Sequence, residues 1–212
     1  MKRVLFVCTG NTCRSPMAEA MFRKIAQEAG LGVEVRSAGV SALPGVSASD
    51  HAVRVMRDRE IDHSSHRSQQ VTKELVEWAD VIITMTAAHQ YSLARAFPEA
   101  VDKAYTLKGL AQEELGERLA ELDRMGAELE MNRAILKKTE KERDEEGRKP
   151  LKAEMDRLEM EYRSLRQEVE KQAFGDVMDP FGGDEAEYRR CAGEMEEALR
   201  RIVGKWVEKT GR

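Results

Sequence analysis

Residues 110–172 constrain the fold more than any other stretch, because half of them are charged and their apolar residues fall on a narrow stripe. The segment holds 32 charged residues in 63, 18 acidic and 14 basic. Leu151, Met155, Leu158, Tyr162, Leu165 and Val169 step by 4, 3, 4, 3 and 4. Upstream, Leu115, Leu122, Leu129 and Leu136 step by seven, with Leu119 at one intermediate position and Gly126 and Arg133 interrupting two others. A heptad stripe on a charged background buries itself against another helix. Gly147 and Pro150 lie between the two stripes, and Pro suits the first turn of a new helix. The expectation is an inserted antiparallel coiled-coil hairpin over 110–172, turning near 144–150. A single solvated helix or a charged linker is the alternative. On the hairpin reading, the globular domain comes from two separated pieces, 1–109 and 173–212.

Those pieces alternate between strand and helix. An apolar run at 3–7 reads as a buried strand. Residues 17–29 read as a helix with Met17, Ala20, Met21 and Ile25 on one face. Strands follow at 33–35, at 80–84 and within 101–107. Helices follow at 49–59, from a Thr72 cap to 79, at 87–97, and from 184 to about 209 after a Gly-rich loop at 176–183. Strands alternating with helices imply an α/β fold, with a parallel sheet covered on both faces. Outside 110–172 the chain carries 21 charges of each sign, so the net charge of −4 belongs to the hairpin. This balance argues against a nucleic-acid partner, which favours a basic excess. No apolar run approaches the roughly 20 residues of a membrane span, and the four-residue run at the N-terminus is too short for a signal-peptide core. A cytoplasmic protein with no membrane partner is expected. Three cysteines, two of them five residues apart near the N-terminus, make no disulfide framework. Thiol chemistry is the better question.

Cys8-Thr9-Gly10-Asn11-Thr12-Cys13-Arg14-Ser15-Pro16 follows the first strand and opens the first helix. Open α/β sheets place their sites at such carboxyl ends of strands. Five residues separate Cys8 from Arg14, a span whose N–H groups can converge on a tetrahedral oxyanion beside the positive end of the helix. Gly10 and Asn11 tolerate the backbone conformations such a loop demands. Arg14 offers a bidentate fork to two phosphate oxygens. A thiol beside a guanidinium and a helix N-terminus favours its thiolate form, a nucleophile toward phosphorus. Ser15 can donate a hydrogen bond to that sulfur. The 176–183 loop brings candidate acids, Asp176 and Asp179, with Asp184 just after it. Asp176 reads as a turn residue and Asp184 as a helix cap.

The stretch Leu5-Phe6-Val7-Cys8-Thr9-Gly10-Asn11-Thr12-Cys13-Arg14-Ser15-Pro16-Met17-Ala18-Glu19 resembles the low-molecular-weight protein tyrosine phosphatase family. Ser37-Ala38-Gly39, His66-Arg67-Ser68 and Asp179-Pro180 match further family elements, and the resemblance covers about 2–109 and 173–208. It implies a four-stranded parallel sheet flanked by helices. Cys8 would attack phosphorus to form a cysteinyl-phosphate. Asp179 would protonate the leaving group and then activate water. Thr9, Gly10, Asn11, Thr12, Cys13 and Ser15 would form the phosphate cradle. His66 would hydrogen-bond the loop, and Ser37 would brace Asn11. Neither metal nor cofactor is needed, because amides and Arg14 stabilise the developing charge. His63-Ser64-Ser65-His66 lacks the further ligands that would complete a metal site.

Two positions depart from the tyrosine-specific pattern. Thr12 stands where that pattern usually carries an aliphatic residue, and Asp179-Pro180 is followed by Phe181-Gly182-Gly183 rather than by aromatic residues. Both departures resemble the protein arginine phosphatase branch, which implies phosphoarginine in proteins as substrate. A hydroxyl at the pocket mouth can meet a guanidinium N–H that an aliphatic branch would leave unpaired, at a cost of about 1–3 kcal/mol. Phe181 could stack on the planar guanidinium. Phosphotyrosine is the alternative substrate. Thioredoxin-coupled arsenate reductases share the loop but need further cysteines after the third strand, and 80–107 contain none. Cys13 could join Cys8 in a reversible disulfide or simply pack beneath the loop. The hairpin could recognise a protein partner, mediate self-association or be a passive extension.

Overall fold

Four short apolar runs make the sheet. In the computed structural model of the chain, which describes residues 1–112, 115–142, 145–173 and 175–209, they are β1 (Lys2–Cys8), β2 (Val33–Gly39), β3 (Val81–Thr84) and β4 (Ala104–Thr106). Neighbours pair in parallel in the order β2-β1-β3-β4. The helices are α1 (Arg14–Glu28), α2 (Asp50–Arg57), α3 (Lys73–Trp78), α4 (Ala87–Ala96), α5 (Leu107–Ala111), α6 (Leu115–Glu142), α7 (Glu145–Ala173) and α8 (Glu185–Lys209). Several begin where hydroxyl side chains satisfy orphan amides. Ser49, Thr72, Thr86 and Thr106 accept from the N–H groups of Ala52, Leu75, His89 and Gly109.

Strand periodicity sends alternate residues to opposite faces. Val4, Phe6 and Cys8 join one core with Met17, Phe22, Met56, Leu107, Met195 and Leu199. Leu5 and Val7 join another with Leu75, Val76, Ile82 and Leu93. Helices α1, α2, α5 and α8 thus cover one face, and α3 and α4 the other. A sheet buried on both faces explains why its strands read as continuous apolar runs. Phe6 and Phe22 meet edge to face at 5.5 Å, and each such buried side chain contributes about 1.5–3 kcal/mol.

β1 lies between β2 and β3, so the chain reverses its direction of growth at β1. That topological switch point is where open sheets leave a crevice, and the residues after Cys8 occupy it. β2 runs four residues beyond the 33–35 expected. Its last residues, Ser37, Ala38 and Gly39, are small and carry weak strand preference, yet they pair with Phe6, Val7 and Cys8.

The chain divides into two compact units, Met1–Gln112 with Phe174–Arg212, and Glu113–Ala173. Within the second, α6 and α7 run antiparallel. Gly126 faces Tyr162, and Arg133 Nη2 lies 3.1 Å from Glu159 Oε1. The seam on α7 follows the heptad at 151, 155, 158, 162, 165 and 169. On α6 the covered positions are 122, 125, 126, 129, 132 and 136. Met125 and Asn132 therefore fill the intermediate places, Gly126 lies on the seam beside Met125, and Arg133 is exposed. Gly126 makes room for the Tyr162 ring, and Arg133 reaches across to Glu159. Most of the expected turn at 144–150 lies inside α7 instead. α7 begins at Glu145 and carries Pro150 inside it, where a missing N–H so near the helix start costs one backbone hydrogen bond. Asp144 and the side chains of Leu115, Leu119 and Gly147 lie outside the described residues. Among the described residues, no helix is long and apolar enough to cross a membrane.

Candidate active site

The turn between β1 and α1 is built around Asn11. This residue is fully buried and adopts φ of 55°, a left-handed conformation that Asn tolerates when its side chain is anchored. Its Nδ2 donates to Ser15 Oγ and to Ser37 Oγ, each at 2.9 Å. Its Oδ1 accepts from Gln69 N at 2.9 Å. Gly10, the other candidate for an unusual conformation, is not among the glycines with positive φ.

The loop's carbonyls are turned outward. Those of Cys8 and Thr9 accept from Val40 N and Ser41 N at 2.9 Å, and that of Thr12 accepts from Ser49 N at 3.0 Å. The Asn11 carbonyl is 2.7 Å from His66 Nε2. With these oxygens committed, the loop presents N–H groups to its centre, forming a concave anion cradle. Asn11 N donates to Cys8 Sγ at 3.3 Å, and Ser15 Oγ is 3.0 Å from the same sulfur. Gly39 is required beneath this loop. A Cβ there would lie 2.3 Å from the Thr9 carbonyl oxygen and 2.9 Å from Ala42 Cβ.

Arg14 is buried, and its Nη2 is 2.7 Å from Asp179 Oδ2. Its Nη1 lies 3.4 Å from the Val177 carbonyl. Asp179 Oδ1 accepts from Phe181 N at 3.2 Å, and the Phe181 ring is exposed. The other two acids do different work. Asp176 Oδ1 accepts from Ala87 N at 2.8 Å, at the start of α4. Asp184 Oδ1 accepts from Glu187 N while Glu187 Oε2 accepts from Asp184 N, a reciprocal capping box at α8. Asp179 is therefore the acid of the three that meets Arg14.

Cys13 is buried, with Tyr188 Oη 3.1 Å, Thr12 Oγ1 3.6 Å and Ser49 Oγ 3.7 Å from its sulfur. Burial, with Cys13 beside it, pushes the Tyr188 phenol up to about 12. All three cysteines are free. Burial pushes the Cys191 thiol up to about 12, so it is protonated and unreactive at neutral pH. His63 stacks on His66 with ring centres 5.2 Å apart. Burial, then the neighbouring His66, brings His63 down to about 4. No cluster of three or more metal-ligating side chains occurs among the described residues.

Three contributors carried no sequence signal of their own. Tyr188 comes from a distant helix, Gln69 acts through its main chain, and His89 binds Thr9 Oγ1 at 2.8 Å. His89 does stand three residues after a Thr, a capping distance, but that spacing reveals the helix and not its partner.

An anion cradle with a buried thiol, a buried guanidinium and a carboxyl on an adjoining loop, at the switch point of a four-stranded parallel sheet, defines a cysteine-dependent phosphatase architecture. The chain belongs to the low molecular weight phosphotyrosine protein phosphatase family, whose model matches residues 3–174. The matched span stops short of Asp179, so that residue stands on geometry. A protein-arginine-phosphatase of Bacillus subtilis (strain 168) is 43% identical over 200 residues, 94% of this chain and 93% of the relative. The YwlE arginine phosphatase from Geobacillus stearothermophilus superposes with a TM-score of 0.66 at 31% identity, over 99% of this chain and 95% of that one. A YwlE mutant with a phosphorylated active-site serine in place of cysteine superposes with a TM-score of 0.65 at 32% identity, over 96% of this chain and 94% of that one.

Proposed function

We propose that this chain is a protein arginine phosphatase acting through Cys8, Arg14 and Asp179. The observation that carries the reading is the convergence of these groups, with Asp179 Oδ2 2.7 Å from the Arg14 fork beside the Cys8 loop. The names of its similar relatives support phosphoarginine as the substrate.

In the free enzyme Asp179 occupies the fork of Arg14. A phosphoryl dianion entering the cradle takes that fork through two oxygens and releases the carboxylate, which takes a proton from solvent and turns toward the leaving group. Cys8 Sγ attacks phosphorus as the P–N bond breaks, and Asp179 gives its proton to the departing guanidine nitrogen. Ser15 hydrogen-bonds the sulfur. Water then attacks the cysteinyl-phosphate, its proton passes to Asp179, and the S–P bond breaks to release inorganic phosphate and regenerate the sulfur nucleophile. Loop amides and Arg14 stabilise the charge in both steps.

Thr12 and Phe181 set the substrate. The Thr12 side chain is half-buried and polar, suited to a guanidinium N–H, and the exposed Phe181 ring offers a face for stacking. Thr12→Ile is expected to lower kcat/KM for a phosphoarginine peptide about tenfold to a hundredfold, the cost of an unpaired donor, while sparing phosphotyrosine. An unchanged ratio between the two substrates would contradict the role of Thr12. Phosphotyrosine remains the second reading, because the cradle itself accepts any phosphoryl dianion.

The catalytic domain comprises 1–112 and 174–212, a few residues wider at its first break than the expected 1–109 and 173–212, with the intervening hairpin as an inserted interaction module for self-association or a protein partner. Joining 112 to 174 is expected to retain turnover and change the oligomeric state or partner binding; loss of folding would show the insert to be integral. Three free buried cysteines suit a reducing cytoplasm.

A further inference from the structure

The bonds from Ser41, Ser49, His66 and Gln69 hold the phosphate loop from the side of β2. A separate chain of bonds reaches it from the side of β3. Thr86 Oγ1 is 2.7 Å from His89 Nδ1, and His89 Nε2 is 2.8 Å from Thr9 Oγ1. His89 is 6% exposed. Burial, then the nearby Arg14, brings its imidazole down to about 4, so at neutral pH one ring nitrogen donates and the other accepts. Thr86 Oγ1 already accepts from the His89 main-chain N–H at 3.2 Å. Every group is satisfied when the Thr86 hydroxyl donates to Nδ1 and Nε2–H donates to Thr9.

The turn that carries Thr86 also holds the acid loop. Met85 O accepts from Val177 N at 2.8 Å, and Ala87 N donates to Asp176 Oδ1 at 2.8 Å. Met85 N donates to Val7 O of β1 at 3.0 Å. The β3–α4 turn thus grips the loop bearing Asp179 with its main chain, while Thr86 reaches the loop bearing Cys8 through the His89 side chain of α4.

We propose that His89 is a positioning residue whose imidazole, bridging Thr86 to Thr9, sets the register between the phosphate loop and the acid loop. The inference rests on the phosphatase reading and adds to it a residue outside the Cys8, Arg14 and Asp179 set. His89 touches no reacting atom. It acts through Thr9, the first residue after the nucleophile, and a small displacement of such a loop moves the sulfur relative to the acid.

The test uses amide substitutions that imitate one ring nitrogen each. His89→Asn preserves the reach of Nδ1 to Thr86 and loses Thr9. His89→Gln preserves the reach of Nε2 to Thr9. Inorganic phosphate binding by calorimetry, together with kcat and KM on p-nitrophenyl phosphate and on phenyl phosphate, is measured for wild type, His89→Asn, His89→Gln, Thr9→Val and Thr9→Val/His89→Asn. Tm is recorded for each. We expect His89→Asn and Thr9→Val each to weaken phosphate binding and lower kcat about tenfold. The loss should be greater for phenyl phosphate, whose poorer leaving group depends more on the acid. The double variant should be no worse than the worse single, and His89→Gln should lie within threefold of wild type. Additive losses, equal losses on both substrates, or His89→Gln no better than His89→Asn would overturn the proposal. So would phosphate affinities within twofold of wild type alongside a lowered Tm. Phosphate binding needs no turnover. A wild type that binds phosphate but hydrolyses nothing contradicts the phosphatase reading and leaves the affinity comparison to decide the bridge.

Discussion

The α/β unit and the 115–173 hairpin bury different things. In the first, two cores flank a sheet, and buried polar groups gather around the loop after β1. Asn11, Arg14, Ser15, Ser37, Thr86 and His89 are all nearly inaccessible, and each has a partner in the network described above. In the second, Leu129, Asn132 and Val169 are the residues fully covered among those described, and the charges lie on the surface. Arg133 sits between Glu130 and Glu159 at 2.9 and 3.1 Å, in the exposed setting where ion pairs contribute about 1 kcal/mol or less. Satisfied buried polar groups are costly to lose and specify one geometry. Their concentration in one unit places the chemistry there.

The sharpest way to break this contrast is through the acid. Asp179→Asn is expected to lower kcat by about a hundredfold to ten thousandfold, the range for general acid catalysis, with the largest loss on the poorest leaving group. A loss independent of leaving group would remove Asp179 from that role. Next comes Gly39→Ala. The added methyl meets backbone oxygen at 2.3 Å, so chemical denaturation should show a loss of about 3 kcal/mol, near the upper range for overpacking. A stable, active variant would show that the loop can retreat from β2.

A pH series separates the units by a third route. His63 and His89 are brought to about 4 by burial. Above pH 6.5 both are neutral whether the chain is folded or unfolded. Between about 6.5 and about 4 the unfolded chain binds the protons and the folded chain does not, so stability falls as pH drops through that window. The loss from pH 7 to pH 5 is about 2 kcal/mol per histidine. Urea midpoints should follow it, and His63→Gln should remove about half of the slope. The hairpin contains no histidine, so this window should leave it untouched; a slope unchanged in His63→Gln would refute the assignment. The smallest effect is Arg133→Ala, expected to cost under about 1 kcal/mol and to leave turnover intact. A large loss of activity would mean that the hairpin takes part in catalysis.

The sheet was legible because a two-faced core forces continuous apolar runs, and the Cys8 loop because strand, thiol, guanidinium and helix stand in fixed order. The extension of β2 was not, since Ser37, Ala38 and Gly39 are small and their pairing depends on β1. In the α6 stripe Gly126 and Arg133 look like interruptions until Tyr162 and Glu159 lie opposite them. His89 and Tyr188 carry no signal for a more general reason. Neutral polar groups that act from distant elements leave no period in the sequence, and only tertiary structure brings them to Thr9 and Cys13.

Side-by-side hydrolysis of a phosphoarginine peptide and a phosphotyrosine peptide, with Cys8→Ser as the blank, tests the central claim most directly. The account predicts strong preference for phosphoarginine and no turnover of either peptide by the blank. Preference for phosphotyrosine, or turnover surviving in Cys8→Ser, would contradict it.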